Sequence, residues 1–120
     1  MKALLFLLTI SLLSCSSITV GKPGAFVTDG FAERWGCNKT AVKEQARIYN
    51  ADLPRRKFYI PQPGWTACEV LAHIGAPQNY EYSMSSDITG AWWWYQSGYE
   101  TKGIYLVISN DTWLVEHVSW

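Results

Sequence analysis

The residues of this chain best suited to covalent or metal chemistry are three cysteines and two histidines. In an oxidising compartment, one disulfide between Cys37 and Cys68 would close a loop of about 30 residues and stabilise the fold by a few kcal/mol. The alternative is two separate buried thiols. No metal site is predicted, because these cysteines, His73 and His117 lack ligand spacings such as C-x2-C or H-x3-H.

No set of catalytic residues is recognisable. The chain has no G-x-S-x-G nucleophile motif, no paired carboxylates in a known motif and no glycine-rich phosphate loop. His73 falls in a predicted helix and His117 in a predicted strand, where histidines usually have a structural or surface role. Glu69 has a role at a helix start. We therefore expect a protein that is not an enzyme and has no cofactor.

The N-terminus has the features of an export signal. Lys2 precedes an apolar stretch at residues 3–13, far shorter than the roughly 20 residues that a membrane-spanning helix needs. The stretch ends in the sequence LLSC at residues 12–15, which resembles a bacterial lipobox. The resemblance implies that residues 1–14 are a signal peptide and that Cys15 carries lipid, such as palmitate. The alternative is an ordinary signal peptide that is cut nearby.

The residue after the cysteine bears on location. Ser16 stands where an Asp would be the usual signal for inner-membrane retention. By resemblance to that sorting rule, we expect the protein on the cell outer membrane, lipid-anchored and facing the periplasm. Residues 15–36 contain Ser, Gly and Pro without a sustained period and are predicted to be a lipidated tether that becomes ordered only near its end. Residues 37–120 are predicted to form the folded domain.

Composition limits the kind of protein. The chain has 120 residues, ten Lys and Arg against ten Asp and Glu, 48% hydrophobic residues and seven Trp. Zero net charge argues against a nucleic-acid partner, which needs a basic face. The apolar and aromatic content is too high for a disordered chain. One small globular domain is expected.

Two helices are predicted in the first half of that domain. Asn38 and Thr40 are candidate N-caps of a helix at residues 41–49. For the second helix, at residues 67–74, the sequence indicates both the start and the end. Thr66 and Glu69 form a capping box at its start, and Gly75 followed by Pro77 ends it.

The connector between the helices carries three consecutive cations. Arg55, Arg56 and Lys57 lie between Pro54 and Pro61, and these prolines predict an extended segment or at most an edge strand. From a membrane-tethered domain, the three cations would contact anionic lipid head groups. The alternative is a solvated turn.

The last third of the chain predicts a sheet. Residues 91–96, 103–109 and 112–119 are rich in aromatic and β-branched residues, and the short breaks between them force an antiparallel meander. Residues 78–90 are predicted to be a polar loop. The expected fold is α+β, with two short helices packed on one face of a three-stranded antiparallel sheet in the order ααβββ.

The aromatic run in the first of these strands is the main candidate for binding. Trp92, Trp93, Trp94 and Tyr95 alternate across the strand, so one pair points to the helices and the other points away. The sequence leaves open which pair is which. With Tyr105 they form the candidate partner-binding set, because large rings on an open sheet face are typical interface anchors.

A family resemblance rests on the second helix and the sheet. The string Pro-Gly-Trp-Thr-x-x-Glu-Val-Leu-x-x-x-Gly-x-Pro at residues 63–77 is followed by an aromatic strand at 92–95, by Tyr-Leu-Val-Ile at 105–108 and by a closing hairpin. This half of the chain resembles the SmpA/OmlA (BamE-like) domain of outer-membrane lipoproteins, and the lipobox agrees with it.

Two functions are therefore expected as alternatives. The resemblance implies a non-enzymatic scaffold in outer-membrane protein assembly or envelope integrity, with an envelope protein or an outer-membrane assembly complex as partner. The other is a periplasmic binding or inhibitor module that uses an exposed aromatic sheet face for a glycan or an enzyme.

Overall fold

The computed structural model describes residues 22–51, 60–83, 89–97 and 99–120. These residues form an α+β fold of helices packed against one antiparallel sheet. The helices are α1 (Asp29–Arg34), α2 (Lys39–Ala51) and α3 (Ala67–Ile74). The strands are β1 (Asn79–Tyr82), β2 (Gly90–Ser97), β3 (Glu100–Ser109) and β4 (Thr112–Ser119).

The sheet has four strands in the order β1-β2-β3-β4, so the prediction of three strands was wrong in this respect. The additional strand, β1, lies in the segment that was predicted to be a polar loop. Its sequence NYEY alternates polar and aromatic residues, so that Tyr80 and Tyr82 reach the core while Asn79 and Glu81 are exposed. Burial of two tyrosine rings outweighs the polar composition of this segment.

The closing hairpin contains an irregularity that sets the orientation of β4. Asn110 and Asp111 form the two-residue turn, both with positive φ, as such hairpin turns require. A bulge then shifts the pairing between Tyr105 and Leu106, so that Tyr105 faces His117 and Glu116 is the extra residue. An unbroken register would have placed Glu116 opposite Tyr105.

The folded part begins before Cys37, within the segment predicted to be a tether. Thr28 caps α1 by accepting a hydrogen bond from the Phe31 N–H at 3.2 Å. Just after this helix, Trp35 is 2% exposed. Residues 22–36 therefore contribute to the body of the domain.

The two predicted helices are present. Asn38 caps α2, since its side chain accepts a hydrogen bond from the Ala41 N–H at 2.9 Å. At α3 both halves of the capping box form: Thr66 accepts from the Glu69 N–H, and Glu69 accepts from the Thr66 N–H, each at 3.1 Å. Gly75, with φ 83°, ends this helix at the predicted residue.

Cys37 and Cys68 form a disulfide, with their Cα atoms 5.5 Å apart. The bond joins the segment between α1 and α2 to the first turn of α3. The prediction of this pairing is confirmed.

The core lies between the helices and one face of the sheet, and aromatic rings fill much of it. Trp35 is at its centre. Its ring centroid lies 4.9 Å from that of Trp113, 5.0 Å from Trp93 and 5.4 Å from Tyr82. Val70, Leu71 and Ile74 of α3 belong to the same cluster. The helices therefore cover this inner face and leave the opposite face uncovered by any described element.

Several predictions fall outside the described residues. These are the signal peptide at residues 1–14, lipid attachment at Cys15, and the cations Arg55, Arg56 and Lys57. Among the described helices, none is long and apolar enough to cross a membrane.

Candidate functional site

The uncovered sheet face carries a row of large side chains across all four strands. The pairing of the strands places Glu81 of β1 beside Trp92 of β2, then Tyr105 of β3, then His117 of β4. Neighbouring strands lie about 4.8 Å apart, so side chains in one such row are in mutual reach. We call this surface, completed by Ser83 and Trp94, the outer aromatic face.

Trp92 is the centre of the outer aromatic face. Its ring stacks on that of Trp94 with centroids 4.9 Å apart and planes within 9°. The Tyr105 ring lies 5.1 Å away at a tilt of 52°, and the His117 ring lies 6.3 Å away, edge-on. Trp92 and Trp94 are only partly buried, so both remain accessible at the surface.

Two glycines make room for these rings. A Cβ atom at Gly103 would lie 2.6 Å from the Trp94 ring, so this ring crosses the backbone of β3 where there is no side chain. The Tyr105 ring crosses β2 at Gly90 in the same way and reaches Ser83, with the two hydroxyl oxygens 2.8 Å apart. The glycines thus let the rings lie across the sheet.

Together these side chains line an open groove of about 690 Å³. Cavities of this size are typical of sites for small ligands or for single side chains of a partner. The lining residues that the structure describes are Glu81, Tyr82, Ser83, Trp92, Trp94, Tyr105 and His117. The groove therefore combines aromatic surface with the Glu81 carboxylate, the His117 imidazole and the paired hydroxyls of Ser83 and Tyr105.

The structure divides the predicted binding set. Trp92, Trp94 and Tyr105 lie on the outer face, as a binding role requires. Trp93 and Tyr95 point to the helices and have no exposed surface. The Tyr95 hydroxyl donates a hydrogen bond to the Gly75 carbonyl at 2.8 Å, and burial raises its pKa well above the usual value for tyrosine. These two residues belong to the core and leave the candidate site.

Sequence reasoning missed Glu81, Ser83 and His117, three residues of the outer aromatic face. Glu81 and Ser83 belong to or follow the strand that was not predicted, although the alternation in NYEY was a usable signal. His117 reaches the outer face because of the bulge, which the sequence did not reveal. With regular alternation along β4 from the hairpin turn, Glu116 would lie on the outer face in place of His117.

A second groove lies between α2 and α3 beside the disulfide. Its volume is about 250 Å³, and Tyr49 is among its lining residues. The His73 ring is stacked between the Tyr49 ring, with centroids 4.0 Å apart, and the Trp65 ring, with centroids 4.5 Å apart. This stack joins α2, α3 and the segment before α3, which accounts for His73 as a packing residue.

The described residues contain no cluster of three or more His, Cys, Asp or Glu side chains that could hold a metal ion. Comparisons with known protein families, with curated proteins and with solved structures find no match for this chain. The candidate function therefore depends on the geometry of the outer aromatic face and on the motifs in the sequence.

Proposed function

We propose that this protein is a non-enzymatic lipoprotein of the cell envelope whose outer aromatic face docks a partner protein. In this role it is a scaffold for outer-membrane protein assembly or envelope integrity. The observation that carries the proposal is the open sheet face on which Trp92, Trp94 and Tyr105 are grouped. Tryptophan and tyrosine are the residues that most often anchor protein interfaces.

The arrangement of the rings supports a binding role over a packing role. The core on the inner face already contains an aromatic cluster around Trp35 and Trp93, so the outer rings are not needed to fill it. Two partly buried indoles stacked on a sheet face that no described element covers are costly to keep in water unless they bind something. The two glycines that accommodate the outer rings support the same view.

Motifs in the sequence support the proposed location of the protein at the membrane. The LLSC sequence at residues 12–15 resembles a lipobox, and the resemblance of residues 63–77 to the SmpA/OmlA domain favours an assembly partner. Lipid on Cys15 would hold the domain at the membrane. This anchoring is tested by metabolic labelling with a fatty acid: Cys15→Ala should abolish incorporation, and unchanged labelling would contradict it.

A glycan is the second candidate for the same face. The specific observation in its favour is the pair of hydroxyls on Ser83 and Tyr105 beside stacked indole rings. Sugars are bound by aromatic platforms that have hydrogen-bonding groups at their edge. We place this function second because the groove is open and most of its lining is aromatic, as at the centre of protein interfaces.

Site-specific photo-crosslinking in the living cell tests the proposed function. A photoreactive phenylalanine analogue at Trp94 should give a crosslink to a distinct envelope protein. The matched control carries the same analogue at Ile48, an exposed apolar residue of α2 on the helical side of the domain. The crosslink at Trp94 should also disappear when Trp92→Ala is added. Equal crosslinking at both positions, or none at Trp94, would contradict docking through this face.

A further inference from the structure

The outer aromatic face has an unusual charge pattern. Of the described residues that line its groove, Glu81 has the only fixed charge, and none is Lys or Arg. Glu81 is exposed and lies directly beside Trp92 in the strand pairing. The groove thus presents aromatic ring faces and one carboxylate, with no cation among its described lining residues. Both features attract positive charge: the carboxylate is an anion, and aromatic ring faces are electron-rich.

Elsewhere the chain places its own cations on aromatic rings. The Arg34 guanidinium lies 5.4 Å from the Tyr80 ring centroid, and the Lys102 ammonium lies 5.3 Å from that of Trp120. Both rings are away from the groove. In the described part of the chain, the Trp92, Trp94 and Tyr105 rings have no such partner of their own.

We propose that the groove of the outer aromatic face binds an arginine side chain of the partner protein. The inference rests on the proposed function, that this face docks a protein, and it names the chemistry of the contact. The guanidinium plane stacks on an aromatic ring of the groove, and its N–H groups reach the Glu81 carboxylate. Arginine fits better than lysine because its flat cation both stacks and forms paired hydrogen bonds.

The groove has room for such a side chain. Its volume of about 690 Å³ exceeds what one arginine needs, so flanking residues of the partner would fill the rest. Trp92 is the ring nearest to Glu81 in the strand pairing and already contacts Trp94, Tyr105 and His117. A stacked guanidinium would therefore complete an existing ring cluster.

Short peptides that differ only in charge test the proposal. Acetyl-Gly-Arg-Gly-amide is titrated into the protein, and the indole N–H signals of Trp92 and Trp94 are followed by NMR. The control peptide contains citrulline, which has the shape of arginine without its charge. We expect millimolar binding of the arginine peptide and affinity about two- to fivefold lower for citrulline.

Two variants test whether the Glu81 carboxylate contributes to binding of the arginine peptide. Glu81→Gln should weaken the arginine peptide by about two- to fivefold and leave the citrulline peptide unchanged. Glu116→Gln is the matched control, because Glu116 is an exposed carboxylate of β4 that does not line the groove. It should leave both affinities unchanged. Urea denaturation of each variant shows that the fold is kept.

The outcomes separate this inference from the proposed function. Equal binding of both peptides, or the same loss in Glu81→Gln and Glu116→Gln, would overturn the arginine site. Absence of peptide binding together with the crosslink at Trp94 would overturn the arginine site and leave protein docking in place. Absence of both would overturn both. A chitin or peptidoglycan oligosaccharide that shifts the Trp92 signal, with no effect of the arginine peptide, would favour the glycan function.

Discussion

At the scale of single residues, neighbouring tryptophans of β2 have opposite roles. Trp93 is fully buried against Trp35, whereas Trp94 lies over Gly103 on the outer face. We expect Trp93→Ala to lower the free energy of unfolding by about 3–5 kcal/mol, because it leaves a large cavity. Trp94→Ala should cost only roughly 1 kcal/mol, since part of its ring is already in water.

Urea denaturation of the two variants measures this difference directly. Trp94→Ala should remain folded and no longer bind its partner. Because position 94 is then Ala, the photoreactive analogue is placed at Tyr105 to measure this loss. If Trp94→Ala proves as destabilising as Trp93→Ala, the outer rings are structural and the division of the four aromatic residues is wrong.

Tyr95 gives a prediction of pH dependence. Burial raises its pKa, so the folded protein keeps the phenol proton at a pH where the unfolded chain, with a pKa of about 10, loses it. Above about pH 10 the unfolded state therefore binds fewer protons, and stability falls as pH rises. Below about pH 10 the contribution of the buried, protonated Tyr95 to stability is fully present.

Tyr95→Phe removes both the titration and the hydrogen bond to Gly75. At pH 8 the variant should be less stable than wild type by about 1 kcal/mol. Urea denaturation across pH 8 to 11 should show this gap shrinking as the pH passes about 10. Tyr99→Phe is the control, because this side chain is fully exposed and its curve should follow wild type. A gap that stays constant up to pH 11 would contradict the assignment.

At the scale of elements, α3 shows what local sequence decides. The capping box at Thr66 and Glu69 and the left-handed Gly75 lie at the predicted residues, since each end depends only on its own few residues. The turn at Asn110 and Asp111 follows the same logic, because these residue types tolerate positive φ.

The elements that sequence analysis missed depend on distant contacts. The six residues of α1 are too few to form a helix alone, and what holds them is the packing of Ala32 and the nearby Trp35 in the core. Strand β1 exists because Tyr80 and Tyr82 pack on that cluster. The bulge before His117 likewise follows from the fit of β4 to β3, and no local pattern marks it. The position of His117 in the groove was therefore beyond prediction.

The cap of α3 provides the prediction at this scale. Thr66→Ala removes the hydroxyl that accepts the Glu69 N–H and should lower stability by about 1 kcal/mol. Thr40→Ala is the matched control, since Thr40 is exposed in the first turn of α2 and the cap of that helix is Asn38. Both are measured by urea denaturation. Equal stability of Thr66→Ala and wild type would contradict the role of the cap.

At the scale of the whole molecule, the disulfide joins parts that are distant in sequence. Cys37 and Cys68 are separated by 31 positions, and the bond ties the corner of α1 and α2 to α3. Replacing both with Ser should cost about 2–4 kcal/mol, because the unfolded chain gains the freedom of the open loop. The aromatic core should persist in the variant, which near-ultraviolet circular dichroism reports.

Thiol labelling provides the complementary measurement. In protein isolated from an oxidising compartment with Cys15 replaced by Ser, maleimide should label no cysteine after unfolding. After reduction it should label both Cys37 and Cys68. Two labelled thiols in the unreduced protein would show that the bond does not form in the cell.

The order of strands in the sheet has a consequence for how the protein folds. Each strand pairs with its neighbour in the chain, so the sheet is built from contacts of short sequence separation, which fold fast. The helices precede the sheet, and their docking joins segments that are far apart. The rings of the outer aromatic face lie on β2, β3 and β4, whose pairing is local in the chain. The slower, long-range part of folding then orders the inner face and strand β1, whose Tyr80 and Tyr82 pack on Trp35. A mutation that delays helix docking should therefore leave the rings of β2, β3 and β4 grouped before Glu81 and Ser83 join them.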